Sequence, residues 1–283
     1  MTTTNTFAPL APTVYVPPTQ VAKDTYVIHQ VQPALGEPLF VYINSAVIVG
    51  KEPVIIDTGT PANREQWLKD VFSLVEPKDV KWIFLSHDDV DHSGNLDEAL
   101  TACTNAKLVC NWAMVERHTN CFNFPLDRCQ WVMDGETLDV GDRTLVALRP
   151  PVFDSPTTRG LFDPTTGVYW AVDTFATPLP DPKLQISDLD EEFWFFGLHM
   201  FALGAVSPWI TMLDAKKYGA YIDAVQKLPI KTVAACHTPL IEGDYIAKAF
   251  NRVREFPTLD PPQLPNQAVL EQIIAAVSQP PAS

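Results

Sequence analysis

The stretch Ser86-His87-Asp88-Asp89-Val90-Asp91-His92-Ser93-Gly94 decides the fold, and it directly follows the apolar run 80–85. It places two imidazoles and three carboxylates within six residues. Without a cation, groups packed this closely would repel one another or remain poorly satisfied. An Asp-rich segment can also be a solvated loop or a helix cap, with Asp91 capping the helix that follows. The position at the end of a buried-strand pattern favours a metal centre over those alternatives.

Two other predicted strands also end in metal-ligand residue types. The run 167–173 ends in Asp173, and the run 231–237 ends in His237. Within the central stretch, an extended loop would point residues 87, 89 and 91 to one side, and a turn would return His92 to the same centre. The pattern predicts that ligands from three strand ends meet around one metal centre.

Alternating and helical hydrophobic periodicity along the rest of the chain predicts a mixed α/β protein. The strand patterns lie at 26–31, 40–49, 53–57, 80–85, 107–110, 144–148, 167–173 and 231–237. The helical patterns lie at 63–75, 93–102, 191–206, 215–228 and 268–277. Because the order begins with hairpins, it favours an αββα sandwich of two mixed β-sheets flanked by helices.

We expect a single domain over residues 21–256, because no linker divides that part of the chain. An extended Thr- and Pro-rich arm, residues 1–20, precedes it, and a Pro-rich tail with a short helix, residues 257–283, follows it. Hydrophobic residues make up 46% of the chain, which is enough for a sizeable buried core.

The formal net charge of −14 argues against nucleic acid or membrane partners, since an acidic surface repels phosphates and anionic lipids. The sequence contains no secretory leader and no apolar run of membrane-spanning length, so a cytoplasmic location is expected. Five cysteines, an odd number with no C-x-x-C pair, predict reduced thiols. Cys236 in particular is expected to be inert, because neighbours on a strand point to opposite faces.

The string H-x-D-x-D-H-x-G resembles the signature of the metallo-β-lactamase superfamily, and the resemblance extends over roughly residues 25–255. Residues 54–59 look like the early strand-plus-Asp motif of that superfamily. Asp173 matches its metal-bridging aspartate, and residues 235–237 match the segment of its last histidine ligand. The resemblance implies the metallo-β-lactamase fold.

The third position of the signature is Asp89, where zinc hydrolases of the superfamily place histidine. A carboxylate there is similar to the flavodiiron and oxygen-binding diiron branch. The resemblance implies iron, with zinc or manganese as alternatives, since oxygen ligands favour harder metals. It implies two ligand sets that share one residue. The first metal would take His87, Asp89 and Asp173, and the second Asp91, His92, Asp173 and His237.

That branch has a further histidine before the bridging aspartate, and the best alignment places Pro151 at its position. Asp154 is an additional candidate oxygen ligand. Without it the first site is depleted, and one ion is expected instead of two. The three remaining histidines are expected to be structural or surface residues: His29, His118 and His199.

Three functions remain open at this point. The first is a non-haem iron protein that binds or reduces oxygen, peroxide or nitric oxide. The second is a hydrolase whose metal-bound hydroxide attacks an ester, thioester, lactone or phosphodiester, with Asp91 or Asp89 relaying protons. The third is a non-enzymatic metal-binding protein on a degraded scaffold. Only residues 257–283 follow the predicted domain, so no flavin is expected in this chain, and a separate redox partner would supply electrons. The oligomeric state stays open, with a homodimer as the family's common form.

Overall fold

The computed structural model describes residues 14–34, 38–118 and 126–277. The strands of this part of the chain, in order, are β1 (Thr19–Ala22), β2 (Thr25–Ile28), β3 (Val31–Pro33), β4 (Phe40–Tyr42), β5 (Ser45–Ile48), β6 (Val54–Ile56), β7 (Trp82–Phe84), β8 (Lys107–Cys110), β9 (Cys129–Trp131), β10 (Thr137–Asp139), β11 (Thr144–Leu148), β12 (Gly160–Asp163), β13 (Val168–Trp170), β14 (Thr232–Ala234) and β15 (Ile241–Glu242).

The α-helices of the same residues are α1 (Arg64–Leu74), α2 (Val90–Ser93), α3 (Leu96–Ala102), α4 (Trp112–His118), α5 (Glu191–Phe201), α6 (Ala215–Gln226), α7 (Asp244–Glu255) and α8 (Gln267–Val277). A π-helical turn, Ala202–Val206, extends α5. Short 3₁₀ turns connect several of the other elements.

Two mixed sheets form the centre of the molecule. The first has the strand order β1-β2-β5-β6-β7-β8-β9, and the second β10-β11-β12-β13-β14-β15. In the first sheet the pairs from β6 to β9 are parallel, and in the second β13 pairs with β14 in parallel. The other neighbours within each sheet are antiparallel. The strands β3 and β4 form a separate two-stranded ribbon.

Three apolar layers separate these elements. One lies between the sheets and includes Val54 and Phe84 from the first sheet and Leu161 from the second. A second joins the first sheet to α1 and α3, and a third joins the second sheet to α5, α6 and α7. The predicted αββα sandwich of two mixed sheets is therefore confirmed.

The hairpin of β5 and β6 shows how local sequence produces these elements. β-branched and apolar residues on both sides of the Gly50-containing turn pair in the register Ala46↔Ile56 and Ile48↔Val54. The helix α1 follows and turns its Trp67 and Val71 face onto this sheet.

Several element boundaries differ from the predicted ones. The helix predicted over 93–102 begins only at Leu96, as α3, and Gly94 and Asn95 separate it from the short helix α2. A Cβ on Gly94 would lie 2.7 Å from the Gly59 carbonyl oxygen, so the backbones approach closely here. The strand predicted to reach His237 ends at Ala234.

The predicted N-terminal arm falls largely on residues 1–13, outside the described residues, and its end enters the first sheet as Thr19 and Gln20 of β1. Helix α8 lies where a short helix was predicted. Within the described residues, no helix has both the length and the apolar character needed to cross a bilayer.

Candidate metal centre

The loop after β7 folds back on itself through the single turn of α2. Asp89 occupies the N-cap position, and the helical turn brings His92 over His87, with their ring centroids 3.8 Å apart. The extended, alternating loop predicted from the sequence is therefore wrong in its second half, since the chain turns helical at Val90. Both imidazoles are nonetheless brought to one centre, and both are buried.

Asp57, at the end of β6, fixes the orientation of His92. This fully buried carboxylate accepts hydrogen bonds from the Ser86 backbone N (2.7 Å), Ser86 Oγ (2.7 Å) and Trp170 Nε1 (3.1 Å). It also lies 3.0 Å from His92 Nδ1. Because the carboxylate accepts the Nδ1 proton, Nε2 of His92 is left as the ligand atom facing the centre.

His237 is oriented in the same way by a backbone group. Its Nδ1 donates to the Tyr42 carbonyl oxygen at 2.6 Å. Its Nε2 then lies 3.1 Å from Asp91 Oδ2 and 3.4 Å from Asp173 Oδ1. Tyr42 has no ligand role of its own, and sequence reasoning did not find it, because any residue could supply this carbonyl.

Asp173 lies between the imidazoles. Its Oδ2 is 3.4 Å from His87 Nε2, while its Oδ1 is 3.2 Å from His92 Nε2 and 3.4 Å from His237 Nε2. The preceding residue, Val172, has φ +56°, a conformation that a β-branched residue adopts only under constraint. The two carboxylate oxygens thus face different histidines, which is the arrangement of a bridging ligand.

Asp154 completes the side of the centre next to His87. Its Oδ2 lies 3.8 Å from His87 Nε2, as does Oδ2 of Asp89. Thr158 Oγ1 donates to the other Asp154 oxygen at 3.1 Å. Pro151, the residue aligned with the missing histidine, instead lines a cavity of about 190 Å³ with Phe153. A carboxylate that the alignment did not assign therefore lies beside His87 on the first side of the centre.

The donor atoms form three overlapping groups, in each of which all ligand atoms lie within 4.8 Å of one another. The groups are His87, Asp89 and Asp154; His87, His92 and Asp173; and Asp91, His92, Cys236 and His237. All six predicted ligands and the additional candidate Asp154 belong to at least one of them.

Cys236 was predicted to be inert, and the reason given was wrong. Since β14 ends at Ala234, Cys236 and His237 lie in a loop where strand alternation does not apply. The Cys236 thiol, 0% exposed, belongs to the same group of ligand atoms as His237. The signal available in the sequence was only the neighbouring histidine.

Asp88, in contrast, does not face the centre. Its carboxylate pairs with Arg117 Nε at 2.8 Å and accepts a hydrogen bond from Thr157 Oγ1 at 2.6 Å. His29 is structural, as predicted, and contacts Asn44 Oδ1 and Thr19 Oγ1. His199 contacts the Asp260 carbonyl oxygen. The side chain of His118 lies outside the described residues.

Asn44 holds the loop that carries His237, and sequence reasoning missed it too. Its Nδ2 donates to the carbonyl oxygens of Ala235 (3.0 Å) and Thr238 (3.1 Å), and its backbone N donates to that of Cys236 (2.8 Å). A polar residue inside the apolar run 40–49 was the available signal. Buried amides of this kind are rarely without a structural task.

Two buried polar atoms without hydrogen-bond partners indicate whether a cation fits this centre. His92 Nε2 and Asp173 Oδ1 each expose almost no surface and have no hydrogen bond of acceptable geometry, although they face each other at 3.2 Å. Leaving a buried acceptor and a buried imidazole nitrogen unpaired is costly. A cation between them would use both lone pairs, so the residues present fit a metal.

The electrostatics lead to the same conclusion. Burial acts to lower the pKa of His92, but Cys236, Asp173 and Asp57 together raise it well above its ordinary value. Burial acts to raise the pKa of Asp173, but His92 and His87 hold it low. The carboxylates and the thiol around His92 thus favour positive charge at this position, which a metal ion would supply.

Known proteins resemble this chain in sequence and in structure. A curated relative is 22% identical over 195 residues, "Anaerobic nitric oxide reductase flavorubredoxin" of Pectobacterium atrosepticum, covering 69% of this chain and 38% of the relative. Rubredoxin oxygen:oxidoreductase from Desulfovibrio gigas superposes with a TM-score of 0.74 and 17% identity, covering 87% of this chain and 62% of that one. The flavodiiron protein from Giardia intestinalis superposes with a TM-score of 0.72 and 18% identity, covering 86% of this chain and 60% of that one.

This chain thus spans less than two fifths of the length of that curated relative. The structural similarities establish the metallo-β-lactamase fold implied by the H-x-D-x-D-H stretch. The family model described as "ODP family beta lactamase" matches residues 41–238, a segment that contains all seven candidate ligands from His87 to His237. The chain therefore belongs to the ODP family of beta-lactamase-like proteins.

Proposed function

We propose that this chain binds two non-haem iron ions at the centre described above and reduces dioxygen or nitric oxide there. The observation that carries the proposal is Asp173, whose two oxygens face different histidines on either side of the carboxylate. The names of the relatives support the substrates, since one is a nitric oxide reductase and another an oxygen:oxidoreductase.

The ligand distances support a division into two sites that share Asp173. The first site would use His87, Asp89, Asp154 and Asp173. The second site would use Asp91, His92, His237 and Asp173. Each site then has protein ligands of both nitrogen and oxygen type, as iron centres of non-haem proteins do.

The balance of donors favours iron or manganese over zinc. Four carboxylates supply hard oxygen donors beside three imidazoles, whereas zinc sites usually use more nitrogen and sulfur. The four carboxylates also offset the charge of two divalent ions. When bound, the irons would supply the electrons that reduce the substrate.

The exposure of the ligands supports a route for protons. Asp89 has a side chain 53% exposed and Asp91 one 30% exposed, while His87 is buried. Solvent can therefore reach the centre at these two carboxylates, and we assign to them the relay of protons to the reduced substrate.

Electrons would come from a separate redox partner. The net charge of −14 favours a partner with a complementary basic surface, since opposite charges steer association.

Iron-loaded protein tests the proposal directly. Elemental analysis is expected to find about two irons per chain, and oxygen and nitric oxide electrodes should record consumption when a chemical reductant is supplied. Two bound irons with neither gas consumed would overturn the proposed activity. Zinc-loaded protein that cleaves a chromogenic ester would instead support the hydrolase.

A pair of neighbouring aspartates provides a matched control. Asp89→Asn should lower gas consumption more than about tenfold, because it removes a ligand charge. Asp88→Asn should retain the metal and the activity, since Asp88 contacts Arg117 and Thr157 instead of the centre. Equal losses in both variants would contradict the ligand assignment.

A further inference from the structure

The loop that carries His237 also carries a thiol toward the same centre. Sγ of Cys236 lies within 4.8 Å of ligand atoms of Asp91, His92 and His237, and those atoms lie within the same distance of one another. Cys236 is 0% exposed and belongs to the apolar layer between the two sheets. A buried thiol that shares a volume this small with three metal-ligand groups has the position of a further ligand.

The backbone around Cys236 fixes that position. Its N–H donates to the Val172 carbonyl oxygen at 2.8 Å, and its own carbonyl oxygen accepts from Asn44 N at 2.8 Å. The residue is thus held from both sides, next to the segment that presents Asp173. A ligand held by packing and hydrogen bonds keeps its geometry without a metal.

A second observation points to a bound ion in this group. His92 Nε2 is buried, faces the group and has no hydrogen bond of acceptable geometry. Asp173 Oδ1, 3.2 Å away, is also buried and without a hydrogen bond of acceptable geometry, and a cation between the two atoms would satisfy both. A metal ion in this group would therefore be within reach of both the imidazole nitrogen and the thiol sulfur.

We propose that the thiolate of Cys236 is a ligand of the second metal site, together with Asp91, His92 and His237. The inference rests on the proposed function, because it concerns one of the two ions assigned there. On binding, the sulfur–metal bond forms, the S–H bond breaks and the proton leaves to solvent. The second site then has nitrogen, oxygen and sulfur donors, whereas the first has nitrogen and oxygen alone.

This difference has a consequence for metal choice. A thiolate is a soft, strongly electron-donating ligand, and it favours borderline and softer metals such as zinc and cobalt over manganese. The sites are therefore expected to differ in metal preference, with manganese retained more readily at the first site. The added negative charge would also stabilise the more oxidised state of an ion at the second site.

X-ray absorption on the zinc-loaded full chain tests the assignment. Sulfur bound to zinc scatters at about 2.3 Å, and nitrogen and oxygen at about 2.0–2.2 Å, so the two shells are separable. Wild-type protein should show a sulfur shell that is lost in Cys236→Ala. The matched control is Cys103→Ala, an equally buried thiol in a different apolar layer, which should keep the sulfur shell.

Cobalt substitution provides a second readout that does not depend on activity. Cobalt-loaded wild-type protein should show a sulfur-to-cobalt charge-transfer band in the near ultraviolet, absent from Cys236→Ala. If Cys236→Ala fails to fold, Cys236→Ser and the wild-type sulfur shell decide the question. Bound metal without a sulfur shell overturns this inference and leaves the proposed function intact. Failure of the wild-type protein to bind any metal overturns both.

Discussion

At the scale of single residues, Asp57 and Asp173 have different roles at the centre. Asp57 lies behind His92 and holds its Nδ1, so the ring cannot turn its Nε2 away. Asp173 lies in front and presents one oxygen to His87 and the other to His92. Through the resemblance of their motifs, the sequence identified both aspartates and predicted Asp173 as a bridging ligand, but it did not predict that Asp57 orients His92.

Replacing one imidazole tests the two-site division at this scale. His92→Ala should reduce bound metal from about two ions per chain to about one, since it removes an inner ligand of the second site only. Elemental analysis after gel filtration measures this. His199→Ala is the control, because His199 contacts the Asp260 carbonyl oxygen and no candidate ligand. Unchanged metal content in His92→Ala would show that the ligand assignment is wrong.

His29 provides a prediction about stability and pH. Burial lowers its pKa to about 4 from an ordinary 6.5, although the hydrogen bond to Asn44 partly opposes this. Asn44 donates both Nδ2 hydrogens to carbonyls, so its Oδ1 accepts from His29 Nδ1, and the folded state holds the imidazole neutral. The folded pKa lies below the unfolded one, so stability is full above pH 6.5 and falls as the pH drops toward 4.

Between pH 7 and pH 5, His29 is expected to lower the free energy of unfolding by about 2 kcal/mol. At still lower pH this loss approaches a limit of about 3 kcal/mol. Urea unfolding of wild type and His29→Gln at both pH values measures it. The difference between the two proteins cancels the contribution of other groups. A wild-type free energy of unfolding that falls no faster than that of the variant would contradict the neutral, buried imidazole.

At the scale of elements, the loop after β14 decides where two side chains point. The predicted strand reached His237, and alternation then placed Cys236 on the opposite face. The strand ends at Ala234, so strand alternation does not apply to the residues after it. Asn44 instead fixes this loop by hydrogen bonds to three of its carbonyl groups. Hydrophobic periodicity identified strand β14 but not its last residue. That residue depends on hydrogen bonds from Asn44, which is far away in the chain, and a local sequence pattern holds no information about such contacts.

Asn44→Ala tests the support of this loop. It removes three side-chain hydrogen bonds, because the Ala235 and Thr238 carbonyls lose their donor and His29 Nδ1 loses its acceptor, at a cost of about 1–3 kcal/mol each. Affinity at the second site should weaken about 10–100-fold, as for other supports of metal ligands, while the first site changes little. Metal titration and thermal unfolding measure both effects. Asn105→Ala, at an exposed amide that contacts Lys78, should change neither.

At the scale of the whole molecule, the centre joins the two sheets. The loop after β7 of the first sheet contributes His87, Asp89, Asp91 and His92, and loops of the second sheet contribute Asp154, Asp173 and His237. A backbone hydrogen bond from Arg159 N to the Ser86 carbonyl oxygen, 2.7 Å, links the same loops. Metal bound here would therefore connect both halves of the sandwich.

Metal removal is expected to destabilise the whole fold in one cooperative transition. Binding that favours the folded state adds about 2.7 kcal/mol when free metal is 100 times its dissociation constant, and chelation withdraws that amount. The melting temperature should fall on chelation and return when metal is restored. The variant combining His92→Ala and His237→Ala should show a smaller fall. If chelation leaves the melting temperature of the wild type unchanged, bound metal does not connect the two sheets.

The sequence by itself determined the sandwich class and four ligand candidates of the His and Asp stretch, because hydrophobic periodicity and a dense motif are local properties of a chain segment. The strand ends and the family resemblance added Asp173 and His237. Only the tertiary structure decided that Asp154 lies beside His87, that Pro151 lines a separate cavity, and that Cys236 shares the centre. Those outcomes depend on where a strand ends and how loops of two sheets meet. Distances between segments far apart in the chain are fixed by packing, which sequence spacing does not record.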